Sequence, residues 1–149
     1  MSKHVHLIGG EDNFRAALVD KLENADAVIV DDSKNSDITV ALGKDAEKVT
    51  ADIMIIANNE QMMSGNSDYV PKEGLLIRIH DLMMPEGSEH WGPDSIEHWI
   101  KSVRNGTIDA LNPDIEARYW VNLRDVTDAI SLLVLADSNS LAQGVVDLC

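Results

Sequence analysis

Apolar residues in this chain fall into short runs separated by turn-forming residues. Residues 4–8 form a run that closes on Gly9-Gly10. A helical pattern follows, with Phe14, Ala17, Leu18 and Leu22 at spacings of three and four. Residues 27–30 are compact and rich in β-branched side chains, and Asp31-Asp32 ends them. Ile38–Leu42 reads as a further strand stopped by Gly43, and residues 44–50 as a short helix. Ile53–Ala57 is continuously apolar, as strands are when a parallel sheet is covered on both faces.

Breakers then dominate residues 58–74, where Asn58-Asn59, Gly65, Asn66, Pro71 and Gly74 predict loop. Leu75–Ile79 is the next strand, and residues 85–93 are a second irregular stretch. Asp94, with Glu97 three positions on, predicts a capped helix that ends near Gly106. Residues 118–121 are a strand candidate. Residues 122–137 are a strong helix with Val126, Ala129, Ile130, Leu133 and Val134 on one stripe, and residues 145–148 suggest a last short strand. Strands and helices alternate through the first half of the chain. That order predicts an α/β protein with a three-layer, Rossmann-like, mainly parallel sheet, reduced in size, carried by a single domain over residues 1–149. Its crossovers are expected to be right-handed.

Composition narrows the setting. The 149 residues suffice for one core without staples. No apolar run approaches the roughly 20 residues that span a bilayer, and no secretory leader is evident. The lone Cys149 rules out an internal disulfide, so a cytoplasmic location is expected. Acidic residues outnumber basic ones by 26 to 12, for a net charge of −14. This excludes nucleic acid and anionic membrane as natural partners, since both need a basic face.

Three segments resemble the NAD-dependent epimerase/dehydratase family of extended short-chain dehydrogenases/reductases. Val5-His6-Leu7-Ile8-Gly9-Gly10, the helix after it and Val28-Ile29-Val30-Asp31 are similar to that family's first strand, glycine turn, helix and second strand. Leu75-Leu76-Ile77-Arg78-Ile79-His80-Asp81-Leu82-Met83-Met84-Pro85-Glu86-Gly87 resembles a later strand and loop. Arg118-Tyr119-Trp120-Val121-Asn122-Leu123-Arg124-Asp125-Val126-Thr127-Asp128-Ala129 holds the spacing of a third family segment, and Gly144-Val145-Val146-Asp147-Leu148 resembles the close that follows it. The resemblance covers about half the chain and implies a Rossmann fold, NAD or NADP as cofactor, and a sugar nucleotide as substrate.

The chemistry the family needs is missing. Its reaction uses a tyrosine base held by a lysine four residues on, to take a hydroxyl proton as hydride leaves. No Tyr-x-x-x-Lys occurs here; Tyr69 is followed four residues later by Glu73, and Asn58-Asn59 stand where serines are common. No catalytic residue is therefore assigned. The resemblance makes Gly9, Gly10, Arg15 and Asp31 the cofactor-binding candidates. Aligned on Gly9, however, the second and third glycines of the dinucleotide turn are Asp12 and Arg15. Two readings stay open: Glu11 and Asp12 cap their own helix, or Arg15 turns inward to pair with phosphate. Asp31 is either a ribose ligand or a residue of the strand-end turn.

On the substrate side, Arg118 matches an arginine that pairs with the nucleotide diphosphate in the family. His80, at a strand's carboxyl end, lies where ligands bind in open α/β sheets. Asp125 matches a family acid and is equally a helix-start residue. The five histidines show no metal-ligand spacing, so no metal is expected. Trp99, with Ile96 and Val103, reads as core. The expected function is that of a degenerate, non-catalytic family member that binds a nucleotide, a nucleotide-sugar or a protein partner. A minimal NAD(P)-dependent sugar-nucleotide enzyme and a homodimeric assembly protein are the alternatives. The homodimer rests on the idea that a lost flanking helix bares an apolar sheet face.

Overall fold

The computed structural model describes residues 2–57, 69–83, 91, 101–106 and 121–149. Its elements in chain order are β1 (His4–Gly9), α1 (Asn13–Asn24), β2 (Val28–Val30), β3 (Ile38–Leu42), β4 (Ile53–Ala57), β5 (Leu75–Ile79), β6 (Leu82–Met83), β7 (Val121–Asn122), α2 (Leu123–Leu135) and β8 (Gly144–Leu148). Six strands form one sheet in the order β2-β1-β3-β4-β5-β8, and every neighbouring pair is parallel. β6 and β7 make a separate parallel pair. The fold is α/β and Rossmann-like.

The central strands explain why this sheet holds. All five residues of β4 are buried, as are Leu75, Leu76, Ile77 and Ile79 of β5. Successive strand residues point to opposite faces, so a fully buried run means that both faces are covered. Each buried Ile or Leu contributes about 1.5–3 kcal/mol relative to exposure. α1 buries Phe14, Leu18 and Leu22 at helical spacing. α2 buries Val126, Ile130 and Val134 together with Thr127 and Ser131, whose hydroxyls donate back to Leu123 and Asp128 carbonyls. Asn122 caps α2 by accepting the Arg124 N–H at 2.8 Å. Asp125 lies in its first turn, where a carboxylate opposes the helix dipole without capping it.

α1 and α2 pack side by side and are joined by a Lys21–Asp128 ion pair. They therefore share one face of the sheet.

Several expectations need adjustment. The helix predicted for residues 44–50 is only a 3₁₀ turn at Ala46–Lys48. The short β6–β7 pair was not anticipated. The bare apolar sheet face does not occur in β3, β4 or β5, where only Thr39 and Arg78 escape full burial. Val103, read as core with Trp99, is instead 75% exposed; Trp99, Ile96, Asp94, Glu97 and residues 118–120 lie outside the described residues, as do most of the predicted loops. Among the described residues, no helix is long and apolar enough to cross a membrane.

Candidate functional site

In a sheet of this order the chain reverses its direction of travel between β1 and β3, and ligands bind at the carboxyl ends of strands beside such a switch point. Gly9 and Gly10 stand there, at φ of +74° and +63°. These left-handed values favour glycine. Space demands glycine as well. A Cβ on Gly9 would lie 2.7 Å from the Leu42 carbonyl oxygen, and one on Gly10 would lie 2.7 Å from the Leu42 Cβ. The glycines thus let the turn press against the end of β3, which closes the crevice at this point.

The next residues occupy the start of α1. Asp12 is its N-cap: one carboxylate oxygen accepts the Phe14 N–H at 3.0 Å and the Arg15 N–H at 3.1 Å. The other oxygen accepts the Trp91 indole N–H. Trp91 is 1% exposed and stacks on Phe14, with ring centres 4.2 Å apart and planes within 14°. A diphosphate seated in the usual way needs these same helix N–H groups and the positive end of the helix dipole. Here a carboxylate of the chain already takes both. The residues present do not fit a dinucleotide at this turn.

Arg15 also has a place. Its guanidinium donates to the Leu7 and Gly9 carbonyls at 3.2 and 2.8 Å. β2 ends at Val30, opposite His6, so β1 runs on with no strand on that side, while β3 pairs it on the other. The Lys3 carbonyl accepts from Val28 of β2, and alternation turns the Leu7 and Gly9 carbonyls to that same side. Arg15 replaces the missing strand. Asp12 thus caps its own helix, and Arg15 points to main-chain oxygens. Asp31 is exposed just past β2 and makes no hydrogen bond among the described residues. Its neighbour Asp32 forms the turn by accepting the Lys34 N–H at 2.7 Å.

A second polar cluster sits at the carboxyl ends of β5 and β8. Their register sets Arg78 beside Asp147. Arg78 grips the Asp147 carboxylate with two hydrogen bonds of 2.8 Å, a fork geometry suited to arginine. His80 Nε2 lies 2.9 Å from the same carboxylate. An ionised carboxylate only accepts, so His80 donates through Nε2, and its Nδ1 is the acceptor when the ring is neutral. The main chain fixes the ring's position: the His80 N–H bonds the Leu148 carbonyl, and Asp81 turns the chain at φ +43° toward β6.

The hydrogen bond from Arg78 holds the Asp147 carboxyl below its ordinary 3.8, against partial burial and with help from His80. A carboxyl lowered in the folded state adds stability above its unfolded value of about 3.9, and that stability is lost as pH falls through the lower folded value. The melting temperature should therefore drop on acidification below about pH 4. Asp147→Asn should flatten that drop, in melts followed by circular dichroism. An identical acid limb in the variant would remove Asp147 from the explanation.

Comparison of the chain with protein-family models, with curated proteins and with solved structures gives no match. The site residues must speak through their own geometry. Gly9, Gly10 and Arg15 come together around the first turn of α1, while Asp31, exposed just past β2, makes no hydrogen bond to them. His80 belongs to the other cluster, and Arg118 lies outside the described residues. Among the described residues, no group of three or more His, Cys, Asp or Glu side chains could hold a metal. Sequence reasoning missed two participants. Trp91 leaves no local signal of its contact with Asp12, 79 positions away. Asp147 did leave one: Arg78 and Asp147 each hold the fourth place in otherwise apolar five-residue strands, as complementary charges do across a ladder.

Proposed function

We propose that this chain is a non-catalytic, Rossmann-like binding domain, derived from the epimerase/dehydratase scaffold that its sequence resembles. It retains the sugar-nucleotide side of that scaffold without the redox side. The observation that carries the reading is the start of α1, where Asp12, held by the Trp91 indole N–H, takes up the helix N–H groups that would hold a dinucleotide's diphosphate. The missing Tyr-x-x-x-Lys pair points the same way. The ligand meets the domain at the carboxyl ends of β5 and β8. There the Asp147 carboxylate, held in place by Arg78 and His80, offers acceptors suited to sugar hydroxyls.

Thermal melts with NAD, NADP, UDP and UDP-glucose test this. A ligand that binds only the folded chain stabilises it by about 2.7 kcal/mol at a hundredfold excess over Kd. For a chain of this size that is a rise of roughly 5–10 °C. UDP-glucose should raise the midpoint, His80→Ala should reduce the rise, and neither NAD nor NADP should move it. A rise with NAD, or turnover at the reduced-nicotinamide absorbance with a sugar nucleotide supplied, would overturn the proposal. No rise with any of the four would discard the nucleotide ligand and leave a protein partner.

A further inference from the structure

Residues 101–104 are helical, and Asn105 and Gly106 lead the chain out of that helix. The Asn105 N–H still bonds the Lys101 carbonyl at 2.9 Å, and the Gly106 N–H bonds the Val103 carbonyl at 3.1 Å. Gly106 lies at φ +70°, the left-handed conformation in which helices commonly end. This is the one place in the chain where glycine follows asparagine. Both residues are exposed. Among the described residues, the Asn105 side-chain amide makes no hydrogen bond. A Cβ on Gly106 would meet nothing within 4 Å, so the space around the turn is open.

The two residues together are reactive. The main-chain nitrogen that follows an asparagine can attack the side-chain amide carbon. The Cβ of an ordinary next residue obstructs that approach, and glycine has none. We propose that Asn105 is a self-modification site, which the folded chain converts to aspartate and isoaspartate. The Gly106 nitrogen bonds to Cγ of Asn105. The Cγ–Nδ2 bond breaks, and the amide nitrogen leaves as ammonia with the proton that Gly106 gives up. Water then opens the five-membered imide. Breaking the new bond gives aspartate, and breaking the original peptide bond gives isoaspartate. No electrons are exchanged with any other reactant. The Gly106 nitrogen attacks only when its bond to Val103 opens, and a frayed turn at a helix end opens at little cost.

Position makes the change consequential. The product places a new carboxylate at the carboxyl end of a helix, where the dipole opposes negative charge, in a chain already at −14. The turn is thereby loosened beside Val103, which is 75% exposed. Two other exposed asparagines serve as internal standards. Asn35 and Asn139 are each followed by serine, and their amides donate to Asp32 and Asp137 at 3.5 and 3.3 Å. Neither should react at a comparable rate. The site is independent of the ligand proposed above.

Peptide mapping of the whole chain, aged warm in mildly alkaline buffer, tests it. A glutamyl endopeptidase cuts after Glu97 and Glu116 and releases residues 98–116. That peptide should gain one mass unit, or three in water labelled with oxygen-18, with fragmentation placing the gain at Asn105. It should separate into aspartyl and isoaspartyl forms, while the peptides with Asn35 and Asn139 stay unchanged. Asn105→Gln should abolish the gain. Leu18→Ala empties a buried site on α1 and lowers global stability, yet it should leave the rate unchanged, because only one turn has to open. An Asn105 that persists as long as Asn35 and Asn139 overturns the inference. So does conversion without isoaspartate, which bypasses the imide. A rate that climbs with Leu18→Ala also overturns it, because the reaction then belongs to the unfolded chain.

Discussion

Trp91→Ala should lower the unfolding free energy by about 3–5 kcal/mol, the range for emptying a buried aromatic site. The indole is 1% exposed and lies flat against Phe14. Its removal takes away the stack, leaves a void over the start of α1, and strips one Asp12 oxygen of its donor. With a urea slope of about 2 kcal/mol per molar, the midpoint should fall by roughly 2 M. A fall of less than about 0.5 M would mean that the residue is not packed as described. Trp91→Phe keeps the stack but not the N–H, and should recover most of the loss.

Asp12→Ala comes next, at about 2–5 kcal/mol. Losing the N-cap costs about 1–2 kcal/mol. The buried Trp91 N–H, left without an acceptor, costs about 1–3 kcal/mol more. Asn separates the two parts. Its side-chain oxygen still caps Phe14 and Arg15, but its amide faces Trp91 donor to donor, so Asp12→Asn should fall between wild type and alanine. The double variant Asp12→Ala, Trp91→Ala should lose less than the sum of the singles, with a coupling of about 0.5–3 kcal/mol. Strict additivity in the denaturation series would show that the two side chains do not act together.

Much of the sheet was legible because its strands declare themselves. Ile53–Ala57 is an unbroken apolar run and Leu75–Ile79 is apolar but for Arg78, and both strands are found at those bounds. α1 was legible through Phe14, Leu18 and Leu22, which all reach the core. Residues 44–50 misled because Ala46, Val49 and the charges between them can be read as a helical turn, while only Ala46 reaches the core. β6 and β7 are two residues each, too short for any period to register. The candidate site was half legible. Asp12 could be foreseen as a cap from its place before an amphipathic stretch. That its second oxygen serves Trp91, or that Arg15 substitutes for a strand beside Gly9, depends on contacts no local pattern carries. Arg78 and Asp147 lay in plain view, and only the register that joins them was missing.

The partnership of α1 and α2 bears on how the chain emerges during synthesis. α1 ends at Asn24 and α2 begins at Leu123, so about a hundred residues are made in between. At roughly 5–20 residues per second, the first helix waits some 5–20 s for its neighbour. Throughout that interval the flank that α2 will cover stays wet and open to wrong company. The nascent chain is thus vulnerable along α1, and the protection it needs is supplied by an element made about a hundred residues later.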